Sequence, residues 1–144
     1  MREPQSVRRP PASPHGDPFE PAPTPVVLVV TADANLRAAA QRVLAADGYR
    51  VLTAAHAGHA VLACLRSGPI DVLAAELSMD DVSGPALTER LRRHCRVGAA
   101  VYFAESGTAE CDGLLVRPFT RDDLLAALAT ARAAADAWMV ISAS

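Results

Sequence analysis

The chain has 144 residues and a net charge of -2 at pH 7, with 51% hydrophobic and only 4% aromatic residues. This length supports one domain with a core of Ala, Val and Leu, and the charge gives no indication of a nucleic-acid surface. The sequence has no apolar run near the roughly 20 residues of a membrane span, and no signal peptide is recognisable. We therefore expect a cytoplasmic domain that binds neither nucleic acid nor membrane.

The three cysteines, Cys64, Cys95 and Cys111, are far apart in the chain and form no CxxC motif. Disulfides are rare in the cytosol, and an odd number of dispersed cysteines is typical of reduced thiols in that compartment. The sequence therefore predicts free thiols at these positions.

Residues 1–25 contain eight of the eleven prolines and charges of both signs. Such a segment cannot bury enough apolar surface to order itself, so we predict a disordered N-terminal lead. The alternative is a proline-rich ligand around Pro10–Pro14 for the aromatic groove of a partner. The ordered domain is expected over residues 26–137, with residues 138–144 as a tail.

Strand and helix patterns alternate through residues 26–137. Apolar runs predict five strands, at Val26–Val30, Tyr49–Thr53, the run from Asp71 to Glu76, Ala99–Phe103 and Leu114–Val116. Helical periodicity predicts helices that end at Gly48 and at Gly68, the second with Val61, Leu62 and Leu65 on its inward face. A third helix directs Leu87 and Leu91 inward. Thr120 and Asp123 form a variant of the capping box at the start of the last helix, which the apolar residues Trp138–Ile141 are expected to extend.

The alternation predicts an α/β fold with a doubly wound parallel sheet. For five strands the flavodoxin-like (βα)5 order 2-1-3-4-5 is the natural choice, and it places the ends of strands one and three side by side. Only residues 105–113 separate strands four and five, whereas a helical crossover needs at least about 10–12 residues. We therefore expect the fourth helix to be shortened or missing, which leaves an apolar sheet face as a candidate contact surface.

In this order and spacing, residues 26 to about 137 resemble the receiver domain of bacterial two-component response regulators. The motifs that carry the resemblance are the apolar first strand with its acidic turn, Leu36-Arg37, Gly48-Tyr49, the stretch Asp71–Gly84, and Arg117-Pro118-Phe119, which is similar to the family's Lys-Pro-Phe. The resemblance implies a role in phosphorelay signalling with a histidine kinase or a downstream regulator as partner, and no enzymatic activity.

The resemblance also identifies the family's phosphorylation site, and this chain departs from it at each position. In the family, an acidic pair and an aspartate bind magnesium, the aspartate accepts a phosphoryl group, and a Thr or Ser and a Lys contact the phosphate. The equivalent positions here are Thr31, Ala32 and Asp33 for the acidic pocket, Glu76 for the phosphoacceptor, Ala104 for the hydroxyl residue, and Arg117-Pro118 for the lysine and proline.

These replacements predict a site that does not work by phosphorylation. Magnesium requires well-placed oxygen ligands, so we expect its binding to be weak or absent, and phosphoryl transfer to Glu76 depends on that metal and on positioning. A guanidinium fits a carboxylate through two hydrogen bonds, which predicts an ion pair between Glu76 and Arg117. The alternative is that both side chains point into water. The resemblance suggests a cis bond before Pro118, as in the family, but the sequence alone leaves its cis or trans state open, because most X-Pro bonds are trans.

Three functions are compatible with the sequence. The favoured one is a stand-alone receiver-like module that acts by protein–protein contact, with a homodimer as one option. The others are a receiver phosphorylated on a relocated carboxylate such as Asp80, and a flavodoxin-like small-molecule binder. Asp80 and Asp81 are better explained as charges before a helix N-terminus, His56 and His59 lack a third zinc ligand, and Ser78 has no recognisable general base.

Overall fold

The computed structural model describes residues 24–105 and 114–143, the last seven of these by their backbone alone. Strands and helices alternate along these two ranges as the sequence predicts. The elements are β1 (Val26–Val30), α1 (Ala34–Ala46), β2 (Arg50–Ala54), α2 (Ala57–Ser67), β3 (Ile70–Glu76), α3 (Gly84–Arg92), β4 (Val97–Ala104), β5 (Leu114–Val116) and α4 (Arg121–Ala143).

All five strands form one parallel sheet in the order β2-β1-β3-β4-β5, which confirms the predicted topology. The register places Val30 of β1 opposite Ala75 of β3, and Glu76 of β3 opposite Phe103 of β4. In a parallel sheet the carboxyl ends of the strands share one edge. The residues that follow β1, β3, β4 and β5 are therefore brought together there.

Helices cover both faces of the sheet. On one face, Leu44 of α1 and Leu128 of α4 pack against Val29 and Phe103. On the other face, Ala60 of α2 and Leu91 of α3 pack in a second cluster with Leu28, Val30 and Leu73. Because β3 is covered on both sides, residues 72–75 are fully buried, which explains their uninterrupted apolar sequence.

The helix ends follow the predicted capping chemistry. Gly48 has a φ of 98° directly after the C-cap of α1, a conformation that favours glycine. At the start of α4, Thr120 N–H donates to Asp123 Oδ2 over 2.9 Å, and Asp123 N–H donates to Thr120 Oγ1 over 3.0 Å. The capping box is thus reciprocal, with an aspartate in place of the usual glutamate.

The predicted inward face of α2 is wrong for two of its three residues. Leu62 and Leu65 are 48% and 56% exposed, whereas the buried positions are Ala57, Ala60 and Cys64. A helix presents one stripe with a period of 3.6 residues to its sheet. On α2 that stripe consists of small residues, so leucine content alone pointed to the wrong face.

The expectation of free thiols is wrong for Cys64 and Cys95, which form a disulfide with a Cα–Cα distance of 6.2 Å. Their separation of 31 residues in sequence does not reflect their separation in space. Cys64 lies on α2 and Cys95 follows α3, and these two helices pack beside each other on the same face of the sheet. Cys111 lies outside the described residues.

The connection between β4 and β5 spans residues 105–113, and the prediction of a shortened or missing fourth helix concerns residues 106–113, which lie outside the described part of the chain. The prediction that α4 continues through residues 138–141 is confirmed for the backbone. Within the two described ranges, we find no helix with the length and hydropathy needed to cross a bilayer.

Candidate functional site

The predicted site residues meet at the carboxyl edge of the sheet. Thr31 follows β1, Glu76 ends β3, Ala104 ends β4, and Arg117 follows β5. Each of these four strands therefore contributes one side chain or backbone group to the same place, which is the position where parallel α/β sheets carry their functional residues.

Glu76 is at the centre of this arrangement, with a side chain that is 16% exposed. Its Oε2 accepts a hydrogen bond of 2.6 Å from Thr31 Oγ1 and a second one from Arg117 Nη2. The predicted ion pair between Glu76 and Arg117 is therefore present. The predicted bidentate contact, in which the guanidinium bonds both carboxylate oxygens, is absent from the described contacts of Glu76. Both hydrogen bonds instead converge on the single atom Oε2.

Arg117 interacts with more than one carboxylate. Besides its bond to Glu76, its Nη1 lies 3.7 Å from Asp33 Oδ2, and its Nε lies 3.5 Å from Glu105 Oε2. Nε is buried and its geometry to Glu105 forms no hydrogen bond. The guanidinium thus holds one strong contact to Glu76 and balances the charge of two further acids.

Thr31 was predicted only as the loss of a family carboxylate, and the structure gives it a positive role. It is fully buried, its Oγ1 accepts from Asp33 N–H over 3.1 Å, and its carbonyl accepts from Arg37 Nη1 over 2.7 Å. The signal in the sequence was a hydroxyl residue directly after an apolar strand, next to the strand that ends in Glu76. A buried hydroxyl at such a position requires a partner.

Asp33 and Ala32 complete the predicted acidic pocket. Asp33 is the N-cap of α1, and its Oδ1 accepts from Asn35 N–H and Leu36 N–H over 3.0 and 3.1 Å. One of its oxygens is therefore committed to the helix. Ala32 is exposed and brings only a methyl group to the cleft.

Ala104 and Pro118 occupy the predicted positions on the other side of Glu76. Ala104 is 4% exposed, and its carbonyl accepts Arg117 N–H over 2.8 Å, a contact that extends the pairing of β4 and β5. The Arg117–Pro118 peptide bond is cis. Phe119 stacks on Phe103 with ring centroids 5.5 Å apart, which fixes the start of α4 on the sheet.

Glu76, Arg117, Asp33 and Ala32 line a cleft of about 370 Å³. Its walls carry five carboxylates and one guanidinium, from Asp33, Glu76, Asp80, Asp81, Glu105 and Arg117. The loop after β3 is closed by a bridge between Ser78 and Ser83, so Asp80 and Asp81 stand at its turn. As far as the described residues line it, the cleft is therefore strongly acidic around the Arg117 guanidinium.

The two histidines near this cleft serve α2. His56 Nδ1 accepts from His59 N–H over 3.3 Å, and the two rings stack with centroids 4.0 Å apart. His56 is thus the N-cap of α2. Over the described residues, no group of three or more His, Cys, Asp or Glu side chains is arranged to hold a metal ion.

The sheet order, with functional positions at its carboxyl edge, is that of an α/β domain of the receiver type. Residues 27–129 match the response regulator receiver domain family. This match covers well over half of the chain, and the protein belongs to that family. No curated protein is similar enough in sequence to match it.

Several solved structures share the fold of this chain. A response regulator receiver domain protein from Clostridium thermocellum is similar with a TM-score of 0.65 and 20% identity, over 79% of this chain and 98% of that one. Chemotaxis protein CheY4 of Vibrio cholerae gives a TM-score of 0.64 and 21% identity, over 76% and 99%. The receiver domain of hybrid histidine kinase CckA gives 0.62 and 24% identity, over 74% and 98%. At these identities the likeness shows the fold.

Proposed function

We propose that this protein is an atypical receiver that signals by binding a partner protein and is not phosphorylated at Glu76. The observation that carries the proposal is the engagement of Glu76 Oε2 by both Thr31 and Arg117. A phosphoacceptor needs a free carboxylate oxygen in line with the incoming phosphorus. Here Oε2 is already held by two donors, and these bonds fix the orientation of the carboxylate, so Oε1 cannot be turned toward a phosphoryl group without breaking them.

The donor set around Glu76 does not fit a magnesium ion. Magnesium prefers near-octahedral oxygen ligands at tight distances. The residues after β1 offer a hydroxyl that donates to Glu76 and a methyl group, while Asp33 is committed to α1 and lies beside Arg117. A guanidinium that contacts the central carboxylate supplies the positive charge there and repels a second cation.

The remaining positions also disfavour phosphoryl transfer. Glu76 carries its carboxylate one methylene further from the backbone than the family's aspartate does, and a misplacement of about 1 Å can cost about a hundredfold in rate. Ala104 has no hydroxyl to bind a phosphoryl oxygen. Both changes act on the same step, in addition to the poor metal site.

The fixed ion pair supports a single conformational state. Arg117 precedes α4, so its contact with Glu76 ties the start of that helix to the end of β3. The partner is proposed to be a histidine kinase or a downstream regulator, bound through the surface around β4, the connection to β5 and α4. Glu76 would hold this surface in one arrangement.

Incubation with acetyl phosphate and Mg²⁺, followed by intact mass measurement, tests the proposal. We expect no phosphoryl adduct on the wild-type chain. The matched control is a variant with five substitutions that restore the family residues, and it should gain one phosphoryl adduct. The substitutions are Thr31→Asp, Ala32→Asp, Glu76→Asp, Ala104→Thr and Arg117→Lys. A stoichiometric adduct on the wild-type chain would overturn the proposal.

One second candidate has an observation in its favour. Asp80 lines the same acidic cleft as Glu76 and is exposed, so it is an acid that a relocated phosphorylation could use. If the wild-type chain forms an adduct that disappears in the Asp80→Asn variant, the protein is a phosphorelay receiver with a displaced acceptor.

A further inference from the structure

The corner of the molecule where α2 and α3 end is strongly basic. Residues 57–69 and 84–96, which contain these two helices and the turns that follow them, include a single acid, Glu89. They also include five arginines, all of them exposed, which we call the basic corner: Arg66, Arg90, Arg92, Arg93 and Arg96. Five positive charges and one negative charge give these residues a charge of +4 in a chain whose net charge is -2. Charge is therefore distributed unevenly over the protein.

The fold brings the arginines of the basic corner together. α2 and α3 pack beside each other on one face of the sheet, and both end at the edge where β3 and β4 begin. The disulfide between Cys64 and Cys95 joins these ends with a Cα–Cα distance of 6.2 Å. Arg66 is two residues from Cys64, while Arg93 and Arg96 lie within two residues of Cys95. The bridge therefore holds cations from both helix ends close to one another.

Most of this positive charge is not neutralised within the described part of the chain. Arg92 is the exception, because its Nη1 lies 3.7 Å from Glu89 Oε2 and its Nε donates to Val97 O over 3.3 Å. Over the described ranges, the other four arginines form no ion pair with a carboxylate. The helix dipole favours cations in the last turn, but Arg96 lies four residues beyond α3. Like charges that repel one another in this way favour an external polyanion.

Two large apolar side chains lie on α2 beside these cations. Leu62 and Leu65 are each about half exposed, and among the described residues they are the exposed large hydrophobic ones. Leu65 and Arg66 are three and four residues from Leu62, so all three share the outer side of the helix. Leucines beside cations without a carboxylate partner fit a binding surface that is anionic and also takes up apolar side chains.

An anionic lipid bilayer has both of these properties. Each arginine near a negatively charged leaflet raises the partition onto it by about fivefold, and the boundary between headgroups and acyl chains accepts leucine side chains. A nucleic acid also attracts arginines through its phosphates, but its backbone has no apolar layer beside them for the leucines. The exposed leucines therefore favour the bilayer.

The acidic cleft at the other edge of the sheet does not prevent this approach. β3 has seven residues and runs from the edge with the basic corner to Glu76, so it separates the two regions by roughly 20 Å. The Debye length is about 8 Å at physiological ionic strength. Repulsion between the acids of the cleft and the lipid headgroups is therefore largely screened when the basic corner faces the bilayer.

We propose that the basic corner, together with Leu62 and Leu65, binds the surface of an anionic lipid bilayer. The arginines contact the headgroups, the leucines enter the interface, and no segment crosses the bilayer. The expectation that the chain binds no membrane was drawn from the lack of a spanning run and from the net charge, and neither concerns a local surface. The proposal is independent of the proposed function, because it uses neither Glu76 nor α4.

Co-sedimentation of the full-length chain with lipid vesicles tests the proposal. The probe is a vesicle of phosphatidylcholine with about one third phosphatidylglycerol, and the comparison is phosphatidylcholine alone. At about 0.1 M salt we expect at least about tenfold stronger partition onto the anionic vesicles, and most of this difference should disappear at about 0.5 M salt because the charges are screened.

Two pairs of charge reversals separate the basic corner from net charge. Arg90→Glu with Arg93→Glu should lower the partition at least about tenfold, since each arginine contributes about fivefold. Arg42→Glu with Arg121→Glu is the matched control, because it makes the same charge change at exposed positions on α1 and α4, across the sheet. We expect the control to change the partition less than about threefold.

A third variant tests the apolar part of the surface. Leu62→Ser with Leu65→Ser keeps every charge, and both positions are exposed, so the melting temperature should stay near that of the wild type. The partition onto anionic vesicles should fall at least about threefold, because the leucines no longer enter the interface. The dependence on salt should remain.

The following results would overturn the proposal. No binding to the anionic vesicles, or equal partition onto neutral and anionic vesicles, would show that the corner does not recognise an anionic surface. Equal losses in the two arginine variants would show that only net charge matters. An unchanged partition in the leucine variant, or tighter binding of a labelled DNA duplex than of vesicles, would identify a site for another polyanion. The acetyl phosphate experiment is unaffected by these results, so the two proposals fail separately.

Discussion

Thr31 and Glu76 lie at the ends of adjacent strands and share a hydrogen bond of 2.6 Å from Thr31 Oγ1 to Glu76 Oε2. Thr31 is fully buried, so water does not replace this bond when it is lost. The same Oε2 accepts from Arg117 Nη2. One carboxylate oxygen therefore links β1, β3 and the segment that follows β5.

The substitution Thr31→Val tests this link with a side chain of the same shape. It removes the donor to Glu76 and the acceptor for Asp33 N–H, and we expect the free energy of unfolding to fall by about 1–3 kcal/mol in urea denaturation. In the Glu76→Ala background the same substitution should cost at least about 1 kcal/mol less, because one of the two bonds is already absent. Equal costs in both backgrounds would contradict the link.

The Glu76–Arg117 pair is expected to be coupled in a double-mutant cycle of alanine substitutions. Both side chains are mostly buried, at 16% and 25% exposure, and a coupling of about 1–3 kcal/mol is typical of residues within one charged network. Glu89 and Arg92 on α3 provide the matched control, since they are 73% and 44% exposed and 3.7 Å apart. That surface pair should show a coupling of only about 0–1 kcal/mol, and a similar value for both pairs would contradict the prediction.

The fold was predictable because its signals are local and repeated. The apolar run of β3, the glycine after α1 and the box of Thr120 and Asp123 each specify one element, and the alternation of elements leaves few topologies. The exposed Leu62 and Leu65 show the limit of this reasoning. Hydrophobicity identified α2 as a helix, but the side of α2 that meets the sheet depends on how closely the neighbouring elements approach.

The candidate site was predictable at the level of positions, and less so at the level of contacts. Sheet order alone brings Glu76 near Arg117, and their opposite charges suggest the pair. The convergence of two hydrogen bonds on Glu76 Oε2 depends on Thr31. The side chain of Thr31 is buried by its neighbours in the fold, and this orientation cannot be seen in the sequence. The contact of Arg117 with Glu105 depends on where the chain leaves β4 and was not visible in the sequence.

Gly84 is required by close packing at the start of α3. A Cβ at this position would lie 2.6 Å from the carbonyl oxygen of Glu76 and 2.6 Å from Tyr102 Cδ1. The tyrosine ring is itself held, because its hydroxyl is 2.6 Å from Thr88 Oγ1. We expect Gly84→Ala to destabilise the protein by about 1–3 kcal/mol in urea denaturation, as overpacking does in other cores.

Gly58 is the control for this substitution. It is exposed on α2, and a Cβ there would contact only the ring of His56, at 3.3 Å, which is exposed and able to shift. Gly58→Ala should be neutral or should stabilise the protein by up to about 1 kcal/mol through helix propensity. If Gly84→Ala lowers the free energy of unfolding no more than Gly58→Ala does, α3 does not approach β3 as closely as described.

The disulfide between Cys64 and Cys95 predicts a measurable dependence of stability on reduction. A bridge that closes a loop of this length restricts the unfolded chain and typically adds about 3–4 kcal/mol. Excess dithiothreitol should therefore lower the melting temperature of the wild-type protein and leave that of Cys95→Ser unchanged. Cys111→Ser, the control, should respond to dithiothreitol as the wild type does.

In denatured and unreduced protein we expect one titratable thiol, since three cysteines less the two in the bridge leave one. Three titratable thiols in protein purified without reductant would show that the bridge does not form.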